Sequence, residues 1–348
     1  MTRRLDADDP CPARDGFTWP AEWAPHKRTW MCWPCRTEAW GAPEGLLRAK
    51  QAVARVARAI STFEPVVMAA REQDVAEVAL ATAGKAEIFQ VPLDDSWARD
   101  IGPTFLLGSD GRKAAVQWQF NAWGNKYHPY AEDSAFAARV ADVADAPVYY
   151  APLVCEGGAI HSDGEGTLIT TEQCLLNPNR NPGLTRQQVE ERLALFTGAR
   201  RIVWLGDGFL DEETDGHVDN IACFASPGRV IVGVPVSRSY PDFEPMMEAI
   251  RRLKIMRDAH GKRFEIVEIE QPRKWREDWR GCPLAASYVN FYLPNGGVVM
   301  PSFDDASDER ARAVLADCFP GRDILQVDAL DIVQGGGGIH CITQQEPA

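Results

Sequence analysis

The chain has 348 residues, with 37 lysines and arginines against 50 aspartates and glutamates and a formal net charge of −13. Its 45% hydrophobic and 25% charged residues are typical of a globular protein and exclude a disordered or fibrous one. The acidic balance argues against a general nucleic-acid binder, because such proteins use clustered positive charge to displace counterions. It is compatible with a cationic small-molecule substrate.

Apolar periodicity and turn signals predict an alternation of helices and short strands. The predicted helices cover Glu44–Ile60, Gln73–Thr82, Glu132–Ala144, Thr185–Phe196, Pro245–Ala259 and Ser307–Cys318. The predicted strands cover Pro65–Met68, Glu87–Val91, Ala115–Phe120, Gly166–Thr171, Arg201–Leu205, Arg229–Val236, Phe264–Ile269, Gly297–Pro301 and Ile324–Val327. Thr185 with Gln188 predicts a capping box, Gly198 a helix end, and Ser307 an N-cap.

The spacing of these elements suggests a repeated unit. The last four predicted helix centres lie about 53–61 residues apart, which favours a strand-rich module that carries one helix. The segments Glu156–Ser162 and Gly335–Cys341 also align without gaps, with Ile-His at the same place in each. Chance similarity between two glycine-rich turns is the alternative interpretation of this echo.

Targeting and redox signals point to the cytoplasm. No stretch reaches the roughly 18–20 apolar residues that a membrane helix requires. The segment Met1–Arg14 lacks the apolar core of a secretory signal. Nine cysteines without a framework spacing predict reduced thiols rather than disulfides. We therefore expect a cytoplasmic protein without a membrane partner.

The pair Cys32-Trp-Pro-Cys35 resembles a redox motif but lacks its context. Redox chemistry needs the first cysteine at a helix N-terminus, which lowers the thiol pKa, and the next predicted helix begins about eight residues later. A zinc site would need a second pair of ligands nearby. Two inert thiols in an aromatic region are the favoured interpretation.

Two other motifs carry groups that suit catalysis. The glycine run Gly335–Gly338 is followed by Ile-His-Cys and not by the Lys-Ser/Thr of a phosphate-binding loop, so it directs attention to His340 and Cys341. His217 and Asp219 are two residues apart, so in an extended segment they point to the same face. An imidazole beside a carboxylate is suited to proton transfer near neutral pH.

Two acidic motifs complete the candidates, and two kinds of chemistry fit them. Asp94–Pro103 contains three carboxylates, a tryptophan and an arginine, and Glu156 precedes a Gly-Gly turn. A metal site for zinc or iron is one possibility, although no histidine pair has the HxxxH spacing. Its candidate ligands, which include two His-x-Asp pairs, are His161, Asp163, His217, Asp219 and His340. Alternatively, Cys341 is a nucleophile served by His217, with carboxylates that hold a cationic group.

Many segments, in order along nearly the whole chain, resemble the agmatine deiminase family of the guanidino-group-modifying (pentein) superfamily. The matching segments are Gly16–Trp23, Thr29–Pro34, Asp94–Pro103, Phe120–Gly124, Glu156–Thr171, Cys174–Arg180, Thr214–Cys223, Ser287–Tyr292 and Gly335–Gln345. The resemblance implies an α/β fold, a five-bladed pseudo-symmetric α/β propeller of ββαβ-type modules, with residues 1–348 in one domain. It also implies hydrolysis of agmatine to N-carbamoylputrescine and ammonia in polyamine (putrescine) biosynthesis, without a metal or organic cofactor.

The resemblance also implies roles for individual residues. Cys341 is expected to attack the guanidinium carbon and to form a covalent amidino-cysteine intermediate. His217 is expected to act as the acid and base, and Glu156 to support it or the far side of the guanidinium. Asp100 and Asp219 are expected to grip the guanidinium, because a planar cation with several N–H donors matches two carboxylates.

The resemblance places two further residues around the substrate and leaves some points open. Trp97 is expected to form a wall of the pocket. Asp215 is a candidate partner for the ammonium end of agmatine, and a helix-cap or turn role is the alternative for it. Gly338 stands where relatives usually carry asparagine, which affects the loop before Cys341. The alternative functions are a bacterial-type peptidylarginine deiminase, a metal-dependent hydrolase and a non-catalytic binding protein. The oligomeric state is open, and a homo-oligomer is compatible with the sequence.

Overall fold

A computed structural model describes residues 9–209 and 213–348, so part of the N-terminal segment assessed for a signal, residues 1–8, lies outside the described residues. The strands are β1 Phe17–Thr18, β2 His26–Cys32, β3 Val66–Ala70, β4 Ala86–Gln90, β5 Thr104–Gly108, β6 Lys113–Gln119, β7 Val148–Val154, β8 Ile160–Ser162, β9 Thr167–Thr171, β10 Arg201–Leu205, β11 Ala222–Ser226, β12 Arg229–Val234, β13 Glu265–Glu270, β14 Gly297–Ser302, β15 Asp323–Asp328 and β16 Thr343–Pro347.

Right-handed helices connect many of these strands. They are α1 Pro43–Ile60, α2 Val75–Ala81, α3 Ala98–Ile101, α4 Ala131–Ser134, α5 Phe136–Val143, α6 Glu172–Leu175, α7 Arg186–Thr197, α8 Phe243–Ile255, α9 Asp308–Cys318 and α10 Leu330–Val333. In the part of the chain that the structure describes, none of the helices combines the length and apolar character that a membrane crossing requires.

The described strands form mixed α/β sheets, and the same pattern of connections recurs. A central strand pairs antiparallel with one neighbour and parallel with another, and a helix joins the two parallel strands. The groups that follow this pattern are β16–β2–α1–β3, β5–β6–α5–β7, β8–β9–α7–β10 and β11–β12–α8–β13. The pair β14–β15 is parallel, with an antiparallel bridge from Tyr292 to Val299. Closure of the first sheet therefore pairs a late segment of the chain with an early one.

Local sequence explains two of the longer helices. Proline opens α1 at a position where its missing N–H costs nothing, and Val53, Val56 and Ile60 bury one face of the helix. The capping box predicted for α7 is present, since the Thr185 side chain accepts from the Gln188 N–H while Gln188 Oε1 accepts from the Thr185 N–H. Gly198 ends this helix in the left-handed conformation.

Other helix boundaries differ from the predicted ones. The predicted helix Glu132–Ala144 is divided into α4 and α5 at Ala135, and α8 ends at Ile255 rather than at Ala259. Ser307 is the N-cap residue of α9, as predicted, but its dihedrals are helical and its side chain makes no capping hydrogen bond. The Asp308 carboxylate instead accepts from the backbone N–H groups of Phe303 and Asp305.

Short turns precede the antiparallel strands, and several of these turns contain polar residues that lie close together in the fold. They are Ala98–Ile101 before β5, Gly157–Ala159 before β8, Val218–Asn220 before β11, Ser287–Asn290 before the Tyr292 bridge, and His340–Thr343 at the start of β16.

The two segments that align in sequence, Glu156–Ser162 and Gly335–Cys341, differ in structure at their histidines. His161 lies in β8 after its turn, whereas His340 begins a turn. The two histidines therefore occupy different positions in their modules, although their rings lie 6.2 Å apart.

Candidate active site

Cys341 lies in the turn before β16, and its thiol is 2% exposed. Asn290 Nδ2 donates to the sulfur at 3.2 Å, and the thiol donates to Asp219 Oδ2 at 3.4 Å. Burial, followed by the charges of Asp219 and Asp100, raises the pKa of Cys341 well above its ordinary value. A neutral thiol is therefore the stable form in the free protein.

His217 is fully enclosed between two carboxylates. Its Nδ1 is 3.7 Å from Asp100 Oδ1, and its Nε2 is 3.7 Å from Glu156 Oε2. These contacts are too long for hydrogen bonds, so both ring nitrogens lack a hydrogen-bond partner among the described residues. Burial opposes the charged ring, but Asp100, Cys174 and Glu156 together raise the pKa of His217 well above its ordinary value. An imidazolium at this position is a proton donor that gains hydrogen bonds when a substrate enters.

Glu156 is a buried carboxylate neutralised by an arginine. Arg180 Nε donates to Glu156 Oε1 at 2.6 Å, and the Cys174 thiol donates to Oε2 at 3.8 Å. Although burial opposes ionisation, Arg180 and His217 lower the pKa of Glu156 to about 2. Glu156 therefore remains charged beside His217 throughout the neutral range.

Asp100 lies in α3 and is held by two donors. Trp123 Nε1 donates to Oδ2 at 2.9 Å, and the Gly158 backbone N–H donates to Oδ1 at 2.9 Å. Burial raises the pKa of Asp100; His217 opposes this increase, whereas Asp219 and Glu156 add to it. The approach of a cation would offset this crowding of negative charge.

An unusual backbone conformation presents Trp123 to Asp100. The four residues Ala122–Asn125 have φ angles of 53°, 54°, 91° and 64°, so they form a left-handed turn. Such a turn costs roughly 1–2 kcal/mol for each residue with a β-carbon. The Asn121 side chain holds it by accepting from the Gly124 N–H and donating to the Asn179 carbonyl, both at 2.9 Å.

The two oxygens of Asp219 have different environments. Oδ2 accepts from the Cys341 thiol and from His340 Nδ1 at 2.9 Å. Oδ1 is buried and has no hydrogen-bond partner among the described residues. Burial opposes ionisation, but His340 lowers the pKa of Asp219 below its ordinary value. A charged, buried and unpaired oxygen is an acceptor suited to a cationic donor.

Gly158 shows how close the polar groups are to one another. A β-carbon built on Gly158 would lie 2.7 Å from His217 Nδ1, 2.9 Å from Asp100 Oδ1 and 3.0 Å from Asp219 Oδ2. His217 and Asp219 are thus brought together as predicted, but by the 3-10 turn Val218–Asn220 rather than by an extended segment. Glycine at this position leaves the space between these three groups open.

A narrow cavity has Asp100 and Cys341 in its wall. Its other lining residues are Ala39, Trp97, Trp123, Tyr127, Glu213, Thr214, Gly335, Gly336 and Gly337. Trp97 lies in the wall of the cavity, as predicted, and stacks on Trp40 with ring centroids 5.7 Å apart. Aromatic walls and a carboxylate suit a cation with an apolar chain.

The structure does not bring Asp215 to this cavity. Its carboxylate accepts from Arg180 Nη1 at 2.7 Å and from Lys126 Nζ at 3.3 Å. Two residues earlier, Glu213 lines the cavity instead, accepts from the Tyr127 hydroxyl at 2.7 Å and pairs with Arg280. The placement predicted for Asp215 is therefore corrected to Glu213, and Asp215 anchors Arg180.

Gly338 lies against the amide that contacts the nucleophile. A β-carbon on Gly338 would be 2.4 Å from Asn290 Oδ1, which accepts from the His340 backbone N–H at 2.9 Å. The same side chain donates to Cys341 through Nδ2. The absence of a side chain at Gly338 thus leaves the Asn290 amide in place beside the sulfur.

Two buried clusters have the spacing of metal ligands, and each also contacts an arginine. The clusters are Glu22, His161 and His340, and Glu156, Cys174 and His217. Arg99 lies 3.1 Å from Glu22, and Arg180 lies 2.6 Å from Glu156. A divalent ion in either cluster would face a guanidinium, so ion pairing is the better account of both. Asp163 lies outside both clusters and accepts from backbone N–H groups of its own turn.

Several residues of the site could not be assigned a role from sequence. Arg180, Asn290, Trp123 and Glu22 lie within the matching segments, but each acts through a contact distant in sequence. None of these four residues has a local sequence pattern that distinguishes it from an ordinary loop residue. Of the motif Asp94–Pro103, Asp94 and Asp95 have structural partners: Asp94 accepts from the Glu132 N–H, and Asp95 pairs with Arg36.

Cys32 and Cys35 lie outside the site, as the preference for inert thiols predicted. Cys32 ends β2, and neither cysteine begins a helix. Burial raises the pKa of both thiols well above the ordinary value. These environments give no support to a redox role.

A thiol and an imidazole that each lie beside a buried carboxylate of the same cluster are the groups of an α/β hydrolase with a cysteine nucleophile. The model of the Porphyromonas-type peptidyl-arginine deiminases matches residues 18–347, and the chain belongs to this family. An agmatine deiminase of Pseudomonas aeruginosa (strain UCBPP-PA14) is 41% identical over 364 residues, which cover 97% of both chains.

Solved structures agree with this assignment. A structure described as agmatine deiminase of Enterococcus faecalis catalysing its reaction has a TM-score of 0.94 and 34% identity, with 99% of each chain covered. A structure of the C. jejuni agmatine deiminase has a TM-score of 0.83 and 26% identity, and covers 95% of this chain and 96% of the other. The similarity thus extends through the whole fold and includes the region of the site.

Proposed function

We propose that this protein is an agmatine deiminase, which hydrolyses agmatine to N-carbamoylputrescine and ammonia. The observation that carries the proposal is the clustering of the candidate groups around Asp100. Asp100 lines a cavity together with Cys341, and it lies with His217 and Asp219 around the open space at Gly158. Relatives named agmatine deiminase at about 40% identity support the substrate.

In the first step, the sulfur of Cys341 attacks the guanidinium carbon. Asp100 and Asp219 hold the planar cation still, which gives the reaction its effective molarity. A carbon–sulfur bond forms, and one carbon–nitrogen bond breaks. The thiol proton and a proton donated by His217 both leave with the departing amino group, as an ammonium ion, and His217 becomes neutral. The product is an amidino-cysteine.

In the second step, His217 acts as a base. Once neutral, it takes a proton from a water molecule that attacks the amidino carbon. A carbon–oxygen bond forms and the carbon–sulfur bond breaks, which releases the carbamoyl product and restores Cys341. Glu156, held ionised by Arg180, stabilises His217 each time the ring is charged. These steps use side chains of this chain alone, without a cofactor.

The mouth of the cavity favours a small cation over a peptide. Trp97, Trp123 and Tyr127 suit a butyl chain, and Glu213 suits the ammonium at its end. Beside the mouth, Arg280 pairs with Glu213, and Trp279 Nε1 donates to the Ala39 carbonyl at 3.4 Å. A peptide would have to displace this cover, so peptidylarginine is the second candidate substrate.

We also infer that the chain forms one domain, residues 1–348, as a five-bladed α/β propeller. The recurring order of an antiparallel pair, a helix and a parallel strand supports this architecture. The positions of the polar turns before successive antiparallel strands support a central site shared by the modules. A cytoplasmic location and a homo-oligomer remain predictions.

The test is an ammonia-release assay with agmatine, free arginine and an arginine-containing peptide. We expect turnover with agmatine, and a kcat/KM for the peptide lower by about a hundredfold or more, because the peptide cannot enter the covered mouth. Preference for the peptide would instead identify a peptidylarginine deiminase.

Matched cysteine variants test the nucleophile. Cys341→Ala should abolish ammonia release but still bind agmatine, whereas Cys32→Ala should retain turnover. Activity lost on chelation, with Cys341→Ala still active, would establish a metal-dependent hydrolase. Binding of agmatine without turnover by the parent protein would establish a binding protein.

A further inference from the structure

The ring of His340 lies between two buried carboxylates. Its Nδ1 is 2.9 Å from Asp219 Oδ2, and its Nε2 is 2.7 Å from Glu22 Oε1. Both partners are acceptors, so both ring nitrogens donate and the ring is an imidazolium. His340 is 3% exposed and directly precedes Cys341, and its ring is linked to the sulfur through Asp219.

Glu22 is itself held by a second cation. Arg99 Nη1 lies 3.1 Å from Glu22 Oε1. The Arg99 main chain returns to the site, since its N–H donates to the Cys341 carbonyl at 3.1 Å. The Arg99 Nε also donates to the His340 carbonyl at 3.5 Å. Arg99, Glu22, His340 and Asp219 therefore form a row of alternating charge that is tied back to the nucleophile's own turn.

Hydrogen bonds hold this row together. Glu22, His161, Asp219 and His340 line a tight cleft that leaves no room for a water molecule, on a side of Asp219 not lined by Cys341. Without the contact from His340, the weak thiol donor of Cys341 would be the remaining hydrogen-bond donor to the Asp219 side chain among the described residues, so the carboxylate could rotate. Rotation would move Oδ1, the oxygen without a protein partner, away from its present position.

We propose that His340 and Glu22 are positioning residues, which lock Asp219 with Oδ2 toward Cys341 and keep Oδ1 available for the guanidinium. This inference rests on the proposed function, because it assigns that oxygen to the substrate. Neither residue touches the reacting atoms. Their effect is transmitted from Glu22 to His340 and from His340 to Asp219.

The test is a double-mutant cycle for agmatine turnover. Glu22→Gln keeps the shape of the side chain but removes its charge, and His340→Gln removes the bridge. Each should lower kcat/KM about tenfold to a hundredfold, mainly through a higher KM, because the guanidinium is held less firmly. In an Asp219→Asn background, Glu22→Gln should change kcat/KM by less than about twofold, since its effect passes through Asp219.

His161→Gln is the matched control. His161 Nε2 lies 3.7 Å from Glu22 Oε2, and its Nδ1 accepts from the Phe224 N–H, so it adjoins the row without contacting Asp219. It should change kcat/KM by less than about twofold in either background. If Glu22→Gln keeps its full effect in the Asp219→Asn background, the positioning role is overturned while the proposed function stands. If the parent protein releases no ammonia from agmatine, both are overturned.

Discussion

Cys341 is stable as a neutral thiol in the free protein, whereas its attack on the substrate requires the thiolate. Two neighbouring carboxylates and burial raise its pKa, which suppresses the thiolate before binding. A guanidinium between Asp100 and Asp219 reverses the sign of the nearby charge. Substrate therefore activates the nucleophile that attacks it, and unrelated electrophiles meet a less reactive thiol.

This coupling predicts the pH dependence of alkylation. Because the pKa of Cys341 is raised, the rate with iodoacetamide should increase as pH rises through and beyond the ordinary thiol range near 9. Asp219→Asn removes one negative charge and lowers the pKa, so it should alkylate faster at a given pH while agmatine turnover falls. The measurement is the alkylation rate at Cys341, followed by mass spectrometry from pH 6 to 10. Slower alkylation of Asp219→Asn would contradict this account.

Motif resemblance predicted the chemically distinctive residues that the structure brings close together. A histidine, a cysteine and carboxylates in distinctive local patterns carry their own signal, as at His217 and Cys341. Arg180 and Asn290 carry none, because an arginine or an asparagine in a loop is common and its partner is remote in sequence. For Asp215, the sequence indicated the right segment but not which of its carboxylates lines the cavity. The backbone turns between Glu213 and Asp215, and of these two residues it is Glu213 that lies in the cavity wall.

At the scale of elements, the left-handed turn Ala122–Asn125 connects backbone strain to the site. Its dihedrals place the Trp123 indole against Asp100, and the Asn121 side chain bears the local hydrogen bonds. Sequence periodicity cannot predict such a turn, because contacts with distant parts of the fold stabilise its conformation. The same limit applies to the 3-10 turn at His217, which the i, i+2 argument treated as extended.

Gly124→Ala should impair both the turn and the site. Gly124 has φ +91°, and a β-carbon there would lie 2.5 Å from Asn179 Nδ2. The substitution should lower agmatine turnover about tenfold or more by shifting Trp123 from Asp100. Gly111→Ala is the control, since Gly111 has φ +82° and open space around it. It should lower the free energy of unfolding by about 1 kcal/mol and leave turnover unchanged. Equal loss of turnover in the two variants would show that crowding is irrelevant.

At the scale of the whole molecule, Glu346 ties separate parts of the fold together. It lies in β16 and is fully buried. Trp30 Nε1, from β2, donates to Oε2 at 2.9 Å, and Lys113 Nζ, from β6, donates to Oε1 at 2.5 Å. Arg28 Nε lies 3.3 Å from the same carboxylate. One side chain thus neutralises cations from two sheets.

Glu346→Ala should therefore lower the free energy of unfolding by about 3 kcal/mol, because it leaves an indole N–H and inward-facing cations without their acceptor. Glu265 is the matched control, since it pairs with Arg229 at 3.1 Å but its side chain is 68% exposed. Glu265→Ala should cost no more than about 0.5 kcal/mol. Urea denaturation of the three proteins measures both values. Similar losses would refute a special role for Glu346.

The regular spacing of the longer helices was enough to suggest repeated modules, because two neighbouring parallel strands of one sheet need a crossover connection, usually a helix. It was not enough to predict the pairing of β16 with β2, which joins segments separated by nearly the whole chain. Hydrophobic pattern reports which face of a strand is buried, but not which distant strand is its neighbour. Glu346 lies in β16, and nothing in the sequence around it indicates that its carboxylate contacts residues of β2 and β6.

The pairing of β16 with β2 also bears on biosynthesis. A ribosome makes Asp100 first, then Glu156, His217 and Asp219, and makes Cys341 after all of them. The turn that contains Cys341 leads into β16, and β16 completes the first sheet by pairing with β2. The chain therefore cannot react through this thiol until Cys341 has been made, and by then the carboxylates and the histidine of the site are already part of it.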